Sequence, residues 1–230
     1  TKARGVFVSG TSSPGHATAE LAFFLIGAMA RGLVTNANSM SNGGWQNHLG
    51  RDLRGATLGI LVLGRLGTEV SRFGKAFGMN VQAWSQNLTT TNCEEVGINY
   101  VSRETLFKTS DFISIHLKLS DRVRHLVGTK EFSMMKKNAF LINTSRAAII
   151  DMTALAKALN NLEIAGAAID VYDIEPLPFN DSLRKTKNLL MTPHIGYVTE
   201  ETMAIFYGQM LESIEAMISG NPIRLLEAKT

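Results

Sequence analysis

Six short and almost continuous apolar runs recur along residues 57–193 of this 230-residue chain. They read TLGILVL (57–63), NVQAWS (80–85), FISIHL (112–117), AFLINTS (139–145), IAGAAID (164–170) and LLMTP (189–193). Runs of this kind are typical of parallel strands buried on both faces, because a strand with one wet face alternates apolar and polar residues. Stretches with helical periodicity separate several of the runs. The pattern therefore predicts an α/β fold, a doubly wound parallel sheet with helices on both faces.

The expected helices each carry an apolar stripe. After the first run the stripe consists of Leu66, Val70, Phe73 and Phe77, at spacings of four, three and four. A final helix is expected from Thr199 to Ser219, with the stripe Met203, Phe206, Met210, Ile214 and Met217. The Ala- and Leu-rich stretch from His16 to Val34 predicts a long helix, and the polar segment 36–50, with its lone Trp45, is expected to form turns. GVFVSG (5–10) is one more candidate strand.

Composition narrows the class of protein. The chain is 45% hydrophobic and 19% charged, as globular domains are, and its net charge of +3 is spread without a Lys/Arg block. Nothing therefore supports a nucleic-acid partner or a membrane surface. The longest uncharged apolar stretch, Leu21 to Ala30, is shorter than the ~20 residues that a membrane helix needs. The single Cys93 excludes an intrachain disulfide and favours a reducing compartment, so a cytoplasmic location is expected.

A glycine-containing turn follows the first run. Dinucleotide-binding turns read G-x-G-x-x-G, and here Gly64 and Gly67 occupy the second and third positions while Val62 occupies the first. The second glycine lets the backbone approach a pyrophosphate, and the third lets the helix pack closely on the strand. Valine disfavours positive φ, so the turn is expected to form with residue 62 extended. Alone, this signal is also compatible with a plain strand–turn–helix corner.

The residues after the second run bear on the form of the cofactor. A carboxylate at that position would bond the ribose hydroxyl of NAD, whereas an arginine nearby would accept the 2′-phosphate of NADP. This chain has Ser85, Gln86 and Asn87 there. The choice between NAD and NADP therefore stays open.

Three further loops carry complementary chemistry. Arg146, Glu175 and His194 each follow a predicted strand, and the carboxyl ends of parallel strands line one crevice. An arginine offers paired donors to a carboxylate, and a histidine exchanges protons near neutral pH. A glutamate bonded to that histidine would orient it and favour its protonated form. Taken singly, each residue also has an ordinary structural explanation. Arg146 would pair with Asp151, and Glu175 and His194 would be exposed loop residues.

Segments across nearly the whole chain resemble the D-isomer-specific 2-hydroxyacid dehydrogenases. They read HATAELAFFLIGAMAR, LRGATLGILVLGRLGTEVSRFGKAFGMNVQAWS, DFISIHLKLS, MMKKNAFLINTSRAAIID, GAAIDVYDIEPLP and TPHIGYVTEE, in the family's order. The resemblance implies a Rossmann-like fold and hydride transfer between NAD or NADP and C2 of a 2-keto or D-2-hydroxy acid. It assigns Arg146 to the substrate carboxylate, His194 to acid/base catalysis and Glu175 to its support.

The resemblance also implies a cofactor site, a homodimer and a small 2-keto or 2-hydroxy acid as substrate. Asp170 matches a position near the nicotinamide carboxamide. The other implied cofactor residues are Gly64, Arg65, Leu66 and Gly67 at the pyrophosphate, Ser85 at the adenosine ribose, His116, Thr144 and Ser145 at the flanks of the nucleotide, and Gly196. In such a layout residues 1–10 are a remnant of the substrate domain, 11–200 the dinucleotide-binding domain, and 201–230 a helix and tail that return toward the substrate domain.

The chain departs from the family's pattern at several positions. Lys118 stands where proline is usual, and Lys137 with Asn138 replace a Pro-Gly turn, in which Asn138 is expected to adopt the left-handed conformation. Ala147 replaces a glycine, and a positive φ there would misdirect Arg146. Val62, Ala147 and the expected lack of most of a substrate domain favour a second hypothesis, a non-catalytic module that binds a dinucleotide and dimerises. A phosphate-loop NTPase is excluded because no G-K-[ST] follows the turn.

Overall fold

A seven-stranded sheet with the order β3-β2-β1-β4-β5-β6-β7 forms the centre of the fold, and all of its strand pairs are parallel. The computed structural model describes residues 6–226. The strands are β1 (Thr57–Leu61), β2 (Asn80–Trp84), β3 (Asn99–Tyr100), β4 (Phe112–Ile115), β5 (Phe140–Asn143), β6 (Gly166–Ile169) and β7 (Leu189–Met191). All six predicted apolar runs are strands, each shorter by one to three residues than its run.

Eight α-helices accompany the sheet within the described residues. They are α1 (His16–Arg31), α2 (Leu33–Ser41), α3 (Arg65–Ala76), α4 (Thr90–Val96), α5 (Arg103–Thr109), α6 (Thr129–Met134), α7 (Met152–Asn160) and α8 (Glu200–Ile218). Short 3₁₀ turns cover Asp121–Val123, Ala147–Ile149 and Ser182–Lys185. Side chains of Thr89, Ser102, Asp151 and Thr199 cap α4, α5, α7 and α8, which explains where these helices begin.

The sheet buries both of its faces. Alternate residues of each strand point to opposite sides, so Leu58 and Ile60 join the apolar cluster under α1 and α3, while Leu61 joins the cluster under α5, α6 and α7. In β4, Phe112 and Ile113 divide in the same way. The predicted doubly wound sheet with helices on both faces is confirmed.

Three sequence-based expectations differ from the structure. β3 was missed because it has only two residues, both exposed, at the edge of the sheet. The expected helix 16–34 divides at Gly32, whose φ is 53°, and α2 then continues to Ser41 through residues that were expected to form turns. The expected strand 5–10 is wrong for residues 6–10, which form only an isolated antiparallel bridge between Ser9 and Leu225, and Gly5 lies outside the described residues.

The described chain divides into two compact units. One comprises residues 18–196, with the whole sheet and helices α2 to α7, and the other comprises residues 6–17 and 197–226, with α8. Among residues 6–226 no single helix meets the length and hydropathy of a membrane span. Only α1 and α2 taken together do so, as a pair bent by 61°.

Candidate active site

The direction of the strand order reverses between β1 and β4. From β1 the chain proceeds to β2 and β3 on one side, and β4 to β7 extend on the other. In open α/β sheets, ligands bind outside the carboxyl ends of the strands at such a reversal. The glycine-containing turn follows β1 and His116 follows β4, so both lie at this point.

The turn after β1 has the geometry of a dinucleotide turn despite its valine. The sequence predicted that residue 62 stays extended, and this is wrong, because Val62 has a φ of 77°. Its N–H donates to the Trp84 carbonyl at 2.8 Å, and its own carbonyl lies under α3. The surrounding bonds thus hold Val62 in a conformation that usually requires glycine.

The two glycines of the turn have distinct roles. A Cβ on Gly67 would lie 2.4 Å from the Val62 carbonyl oxygen and 2.9 Å from Ile60, so only glycine lets α3 pack this closely on β1. A Cβ on Gly64 would meet no protein atom within 4 Å, which leaves space beside the turn. Arg65 begins α3, whose first turn holds no acidic residue, so the amide groups of Arg65, Leu66 and Gly67 present the positive end of the helix dipole to that space.

Polar side chains without partners lie next to this turn. His116 and Thr144 directly follow Ile115 and Asn143, which are opposite each other in the β4–β5 pair. Both His116 nitrogens, the Thr144 hydroxyl and the Ser114 hydroxyl are buried and lack a hydrogen-bond partner among residues 6–226. Burial lowers the pKa of His116 to about 4, so its ring is neutral at pH 7. Groups in this state are typical of places where a ligand or an enclosed water supplies the missing bond.

The remaining predicted cofactor residues follow β2 and β5. Ser85 comes directly after β2 and is partly exposed. Ser145 donates its hydroxyl to the Leu117 carbonyl at 2.6 Å, which links the loop after β5 to the loop after β4. Its predicted contact with the nucleotide stays a prediction.

His194 and Glu175 form a hydrogen-bonded pair. The His194 Nδ1 atom lies 2.6 Å from Glu175 Oε2, and the other carboxylate oxygen, Oε1, accepts the Tyr172 N–H at 2.9 Å. Burial by itself would raise the pKa of Glu175, but the bond from His194, the bond from the Tyr172 amide and the charges of His194 and Arg146 together lower it. Glu175 is therefore ionised at neutral pH, and its carboxylate orients the imidazole through Nδ1.

Asp170 fixes the loop that carries His194. This carboxyl follows β6, is 1% exposed, and accepts the N–H groups of Ile195 and Gly196 at 2.9 Å each and the Thr192 hydroxyl at 2.6 Å. Both main-chain groups of Gly196 are hydrogen-bonded, because its carbonyl also accepts the Thr18 hydroxyl, at 2.9 Å. The predicted contacts of Asp170 and Gly196 with the cofactor stay predictions; in the described structure both residues shape the loop around His194.

Arg146 follows β5 and is exposed at the same edge of the sheet. One guanidinium nitrogen donates to the Ser145 carbonyl at 2.6 Å, and the positive charge contributes to the lowered pKa of Glu175. The alternative pairing with Asp151 is not found, since that carboxylate caps α7 through Thr153 and Ala154. Arg146, Glu175 and His194 are thus carried by three neighbouring strands, β5, β6 and β7.

The departures from the family's pattern leave these loops intact. Ala147 is buried in a 3₁₀ turn and does not have a positive φ. The condition that would misdirect Arg146 is therefore not met. Asn138 was expected in the left-handed conformation, and this is wrong: the turn at 136–139 closes without positive φ, through a bond from the Ala139 N–H to the Lys136 carbonyl at 2.9 Å. Lys118 is exposed.

A cavity of about 690 Å³ adjoins the His194–Glu175 pair. Its lining is mostly apolar and comprises Tyr172, Glu175, Pro176, Leu177, Arg184, Met191, Thr192, Pro193 and His194. The roles of Tyr172 and Thr192 leave no pattern in the sequence, because their contacts depend on how two loops meet. The one available signal was their place beside Asp170 and His194 in the chain.

The geometry defines a parallel sheet whose carboxyl edge carries a dinucleotide-type turn, a hydrogen-bonded histidine–glutamate pair and an arginine. The family model described as "D-isomer specific 2-hydroxyacid dehydrogenase, NAD binding domain" matches residues 23–196. The chain belongs to this family. The matched domain is an NAD-binding domain, which agrees with the predicted nicotinamide cofactor. The Rossmann-like fold and the resemblance stated from the motifs are both confirmed.

Relatives of known name and structure agree with this assignment. A glyoxylate reductase of Thermococcus litoralis is 43% identical over 210 residues, covering 86% of this chain and 62% of that protein. A solved phosphoglycerate oxidoreductase of Vibrio cholerae has a TM-score of 0.90 at 32% identity, over 95% of this chain and 71% of that one. An NAD-complexed D-isomer specific 2-hydroxyacid dehydrogenase of Lactobacillus delbrueckii ssp. bulgaricus has a TM-score of 0.80 at 25% identity, over 99% and 74%. The chain thus spans less than two thirds of the length of the Thermococcus relative.

Proposed function

We propose that this chain is the cofactor-binding part of an oxidoreductase that interconverts a 2-keto acid and a D-2-hydroxy acid with NAD(P)H. The observation that carries the proposal is the 2.6 Å contact between His194 and Glu175 at the edge of the sheet where the dinucleotide turn lies. An ionised carboxylate beside a histidine orients the ring and favours its protonated form. Here the Tyr172 N–H in turn holds Glu175.

The acid/base pair would supply and remove the proton at the C2 oxygen. Glu175 engages Nδ1, so the exchange with substrate runs through Nε2. The ionised Glu175 stabilises the protonated imidazole before transfer to a keto acid and orients the ring throughout. Arg146 would grip the substrate carboxylate by paired donors and align C2 for reaction.

The residues around the first turn suit a dinucleotide. Gly64 and the first turn of α3 would receive the pyrophosphate, and His116, Thr144 and Ser145 would lie along the nucleotide, with Ser85 at the adenosine ribose. Buried polar atoms without partners, as on His116 and Thr144, support a ligand at this edge. When bound, NAD(P)H supplies the hydride. No carboxylate or arginine stands at positions 85–87, so the proposal covers NAD and NADP alike and leaves the choice to the assay with both.

The substrate that we propose to test first is glyoxylate, since the Thermococcus relative bears the name glyoxylate reductase. The layout proposed from the sequence makes residues 11–200 the dinucleotide-binding domain, residues 1–10 a remnant of a substrate domain, and residues 201–230 a helix and tail that return toward that domain. Selectivity for the substrate side chain would then depend on that second domain.

Turnover tests the proposal directly. NADH and NADPH oxidation would be followed with glyoxylate, hydroxypyruvate and pyruvate, for the chain and for its Arg146→Ala, His194→Ala and Arg122→Ala variants. We expect His194→Ala to lower kcat at least about a hundredfold while the Kd for NADH changes by less than about twofold. Arg146→Ala is expected to abolish the signal, and Arg122→Ala, at an exposed arginine outside the site, to leave it unchanged.

A second function, a non-catalytic module that binds a dinucleotide and dimerises, is favoured by one observation. Val62 places a branched side chain in the turn that receives the pyrophosphate, at a φ of 77°. Under this function NADH binds, no keto acid is reduced, and His194→Ala has no effect on any measured property of the bound state. Calorimetric titration with NADH, beside the turnover assay, separates the two.

We further propose a homodimer with no nucleic-acid or membrane partner. Residues 33–50, here called the arm, expose the apolar side chains Leu33, Val34, Met40, Trp45 and Leu49, with Leu49 94% exposed. Such a cluster is typical of a surface that another protein covers. The reducing, cytoplasmic location expected from the single cysteine stays a prediction.

A further inference from the structure

Tyr172 bonds to Glu175 and to the loop that carries His194. Its N–H donates to Glu175 Oε1 at 2.9 Å, and its phenol hydroxyl donates to the Thr192 carbonyl, also at 2.9 Å. Glu175 and Thr192 lie on different loops, after β6 and after β7. One residue thus connects the loop of the carboxylate with the loop of the histidine.

The Thr192 carbonyl is the acceptor that sets the main chain of His194. It accepts the His194 N–H at 3.0 Å as well as the Tyr172 hydroxyl. His194 has a φ of 56°, a conformation that few residues other than glycine adopt and that surrounding bonds must maintain. The phenol therefore supports an acceptor of the His194 main chain, in addition to the bonds by which Asp170 holds the same loop.

The Tyr172 hydroxyl is protonated at neutral and mildly alkaline pH. Burial, and after it the charge of Asp170, raises the pKa of Tyr172 to about 12. The ring is partly buried and lines the 690 Å³ cavity beside Glu175 and His194. A phenylalanine would keep this packing and lose only the hydroxyl.

We propose that Tyr172 is a positioning residue of the acid/base pair, which holds Glu175 by its amide and the His194 loop by its hydroxyl. The effect on catalysis rests on the proposed function. The effect on the geometry of Glu175 and His194 does not. The hydroxyl keeps Nδ1 of His194 directed at Glu175. Without it, the imidazole samples orientations in which this bond is longer.

The tautomer of His194 tests the inference without any turnover. In the 230-residue chain labelled with ¹⁵N-histidine, the ring nitrogen shifts at alkaline pH give the fraction of neutral rings with the proton on Nδ1. We expect the Nδ1–H form to dominate in the unmodified chain and the Nε2–H population to rise at least about threefold in Tyr172→Phe, because the bond to Glu175 decides between them. His194→Ala assigns the signals.

Tyr100→Phe is the matched control, since Tyr100 is exposed in β3 at the far edge of the sheet. An unchanged tautomer ratio in Tyr172→Phe, with native circular dichroism, overturns the inference. A ratio that changes equally in Tyr100→Phe overturns it too.

Turnover then links the geometry to catalysis. Tyr172→Phe is expected to lower kcat about tenfold with KM for keto acid and cofactor within about twofold, as misalignment of a proton donor does. A loss of kcat without a change in tautomer contradicts the positioning role. If His194→Ala leaves turnover unchanged, the proposed function fails, whereas the tautomer result for Tyr172 still stands or falls by itself.

Discussion

Val62 is held against its own conformational preference. Its φ of 77° is costly for a β-branched side chain, and such residues carry about 1–3 kcal/mol of strain each. The strain is maintained because the Val62 N–H is bonded to Trp84 and its carbonyl packs against Gly67. The turn is dictated by the contacts of β1 and α3, and residue 62 conforms to them.

Replacing Val62 by glycine is expected to stabilise the chain. Relief of the strain exceeds the roughly 0.5–1 kcal/mol that glycine costs through the unfolded chain, so the free energy of unfolding rises by about 1 kcal/mol. Urea denaturation measures the change. Val198→Gly, at an exposed valine without positive φ, is the control and is expected to destabilise slightly. A Val62→Gly chain no more stable than the original contradicts the strain.

At the scale of elements, Asp111 joins the amino ends of three strands. Its carboxylate accepts the Thr57 N–H at the start of β1 and contacts Arg51 and Lys136 at 3.2 and 3.1 Å. Its backbone N–H and carbonyl bond Thr57 and Phe140, the first residues of β1 and β5. Asp111 thus links β1, β4 and β5 at the end of the sheet opposite the candidate site.

This cluster makes stability depend on acid. Burial would raise the pKa of Asp111, but the Thr57 amide, Lys136 and Arg51 outweigh it and lower the pKa below the usual 3.8. A carboxyl with a lowered folded-state pKa contributes stability above its unfolded value and loses it as the pH falls through the folded one. We expect Asp111→Asn to lower the free energy of unfolding at pH 7 by about 2 kcal/mol.

Urea titrations at pH 7, 5 and 3 check this expectation. The difference between the two chains is expected to narrow at pH 3, because there the Asp111 carboxyl binds a proton in the unfolded chain more readily than in the folded one. Asp173→Asn, at an exposed carboxyl, serves as the control. A difference that stays constant from pH 7 to pH 3 rules out the ionic contribution.

At the scale of the whole molecule, His116 couples folding to pH in a different window. Its pKa is lowered by burial from 6.5 to about 4, so between these values the unfolded chain binds a proton that the folded chain does not. Stability is complete above pH 6.5 and declines as the pH falls toward 4. At pH 5 the loss amounts to about 2 kcal/mol.

His116→Gln is expected to remove this part of the pH dependence, whatever its effect at pH 7. The measurement is the change in unfolding free energy between pH 7 and pH 5, by urea denaturation. His16→Gln, at an exposed histidine outside the arm, should retain the dependence. Equal slopes for all three chains would mean that His116 titrates normally.

The arm makes a prediction about assembly. Trp45 and Leu49 are 70% and 94% exposed, and covering them stabilises a dimer through apolar burial. We expect the chain to sediment as a dimer and Trp45→Glu to weaken the association at least about tenfold, a cost of 1.4 kcal/mol or more. Phe179→Glu, at a 93% exposed side chain outside the arm, is the control. A chain that is monomeric at all concentrations contradicts the proposal.

What the sequence could predict follows from how local each feature is. The strands were found because burial on both faces imposes apolar runs, whereas β3 has too few residues to leave a pattern. Val62 was misjudged because its own propensity favours the extended form, while its neighbours require the left-handed one. Arg146, Glu175 and His194 were identified by residue type and place after a strand. The bonds of Asp170 and Tyr172 could not be predicted from the sequence, since they exist only once the loops after β6 and β7 meet.

Every residue assigned to the site, from Gly64 to Gly196, belongs to the compact unit 18–196. Under the proposed function, the reactive groups would therefore lie in one continuous stretch, apart from the segments that select the substrate side chain. An engineer would then test residues 18–196 as a transplantable cassette. New substrate ranges would be sought by recombining it with other recognition domains, while the groups that move the proton stay untouched.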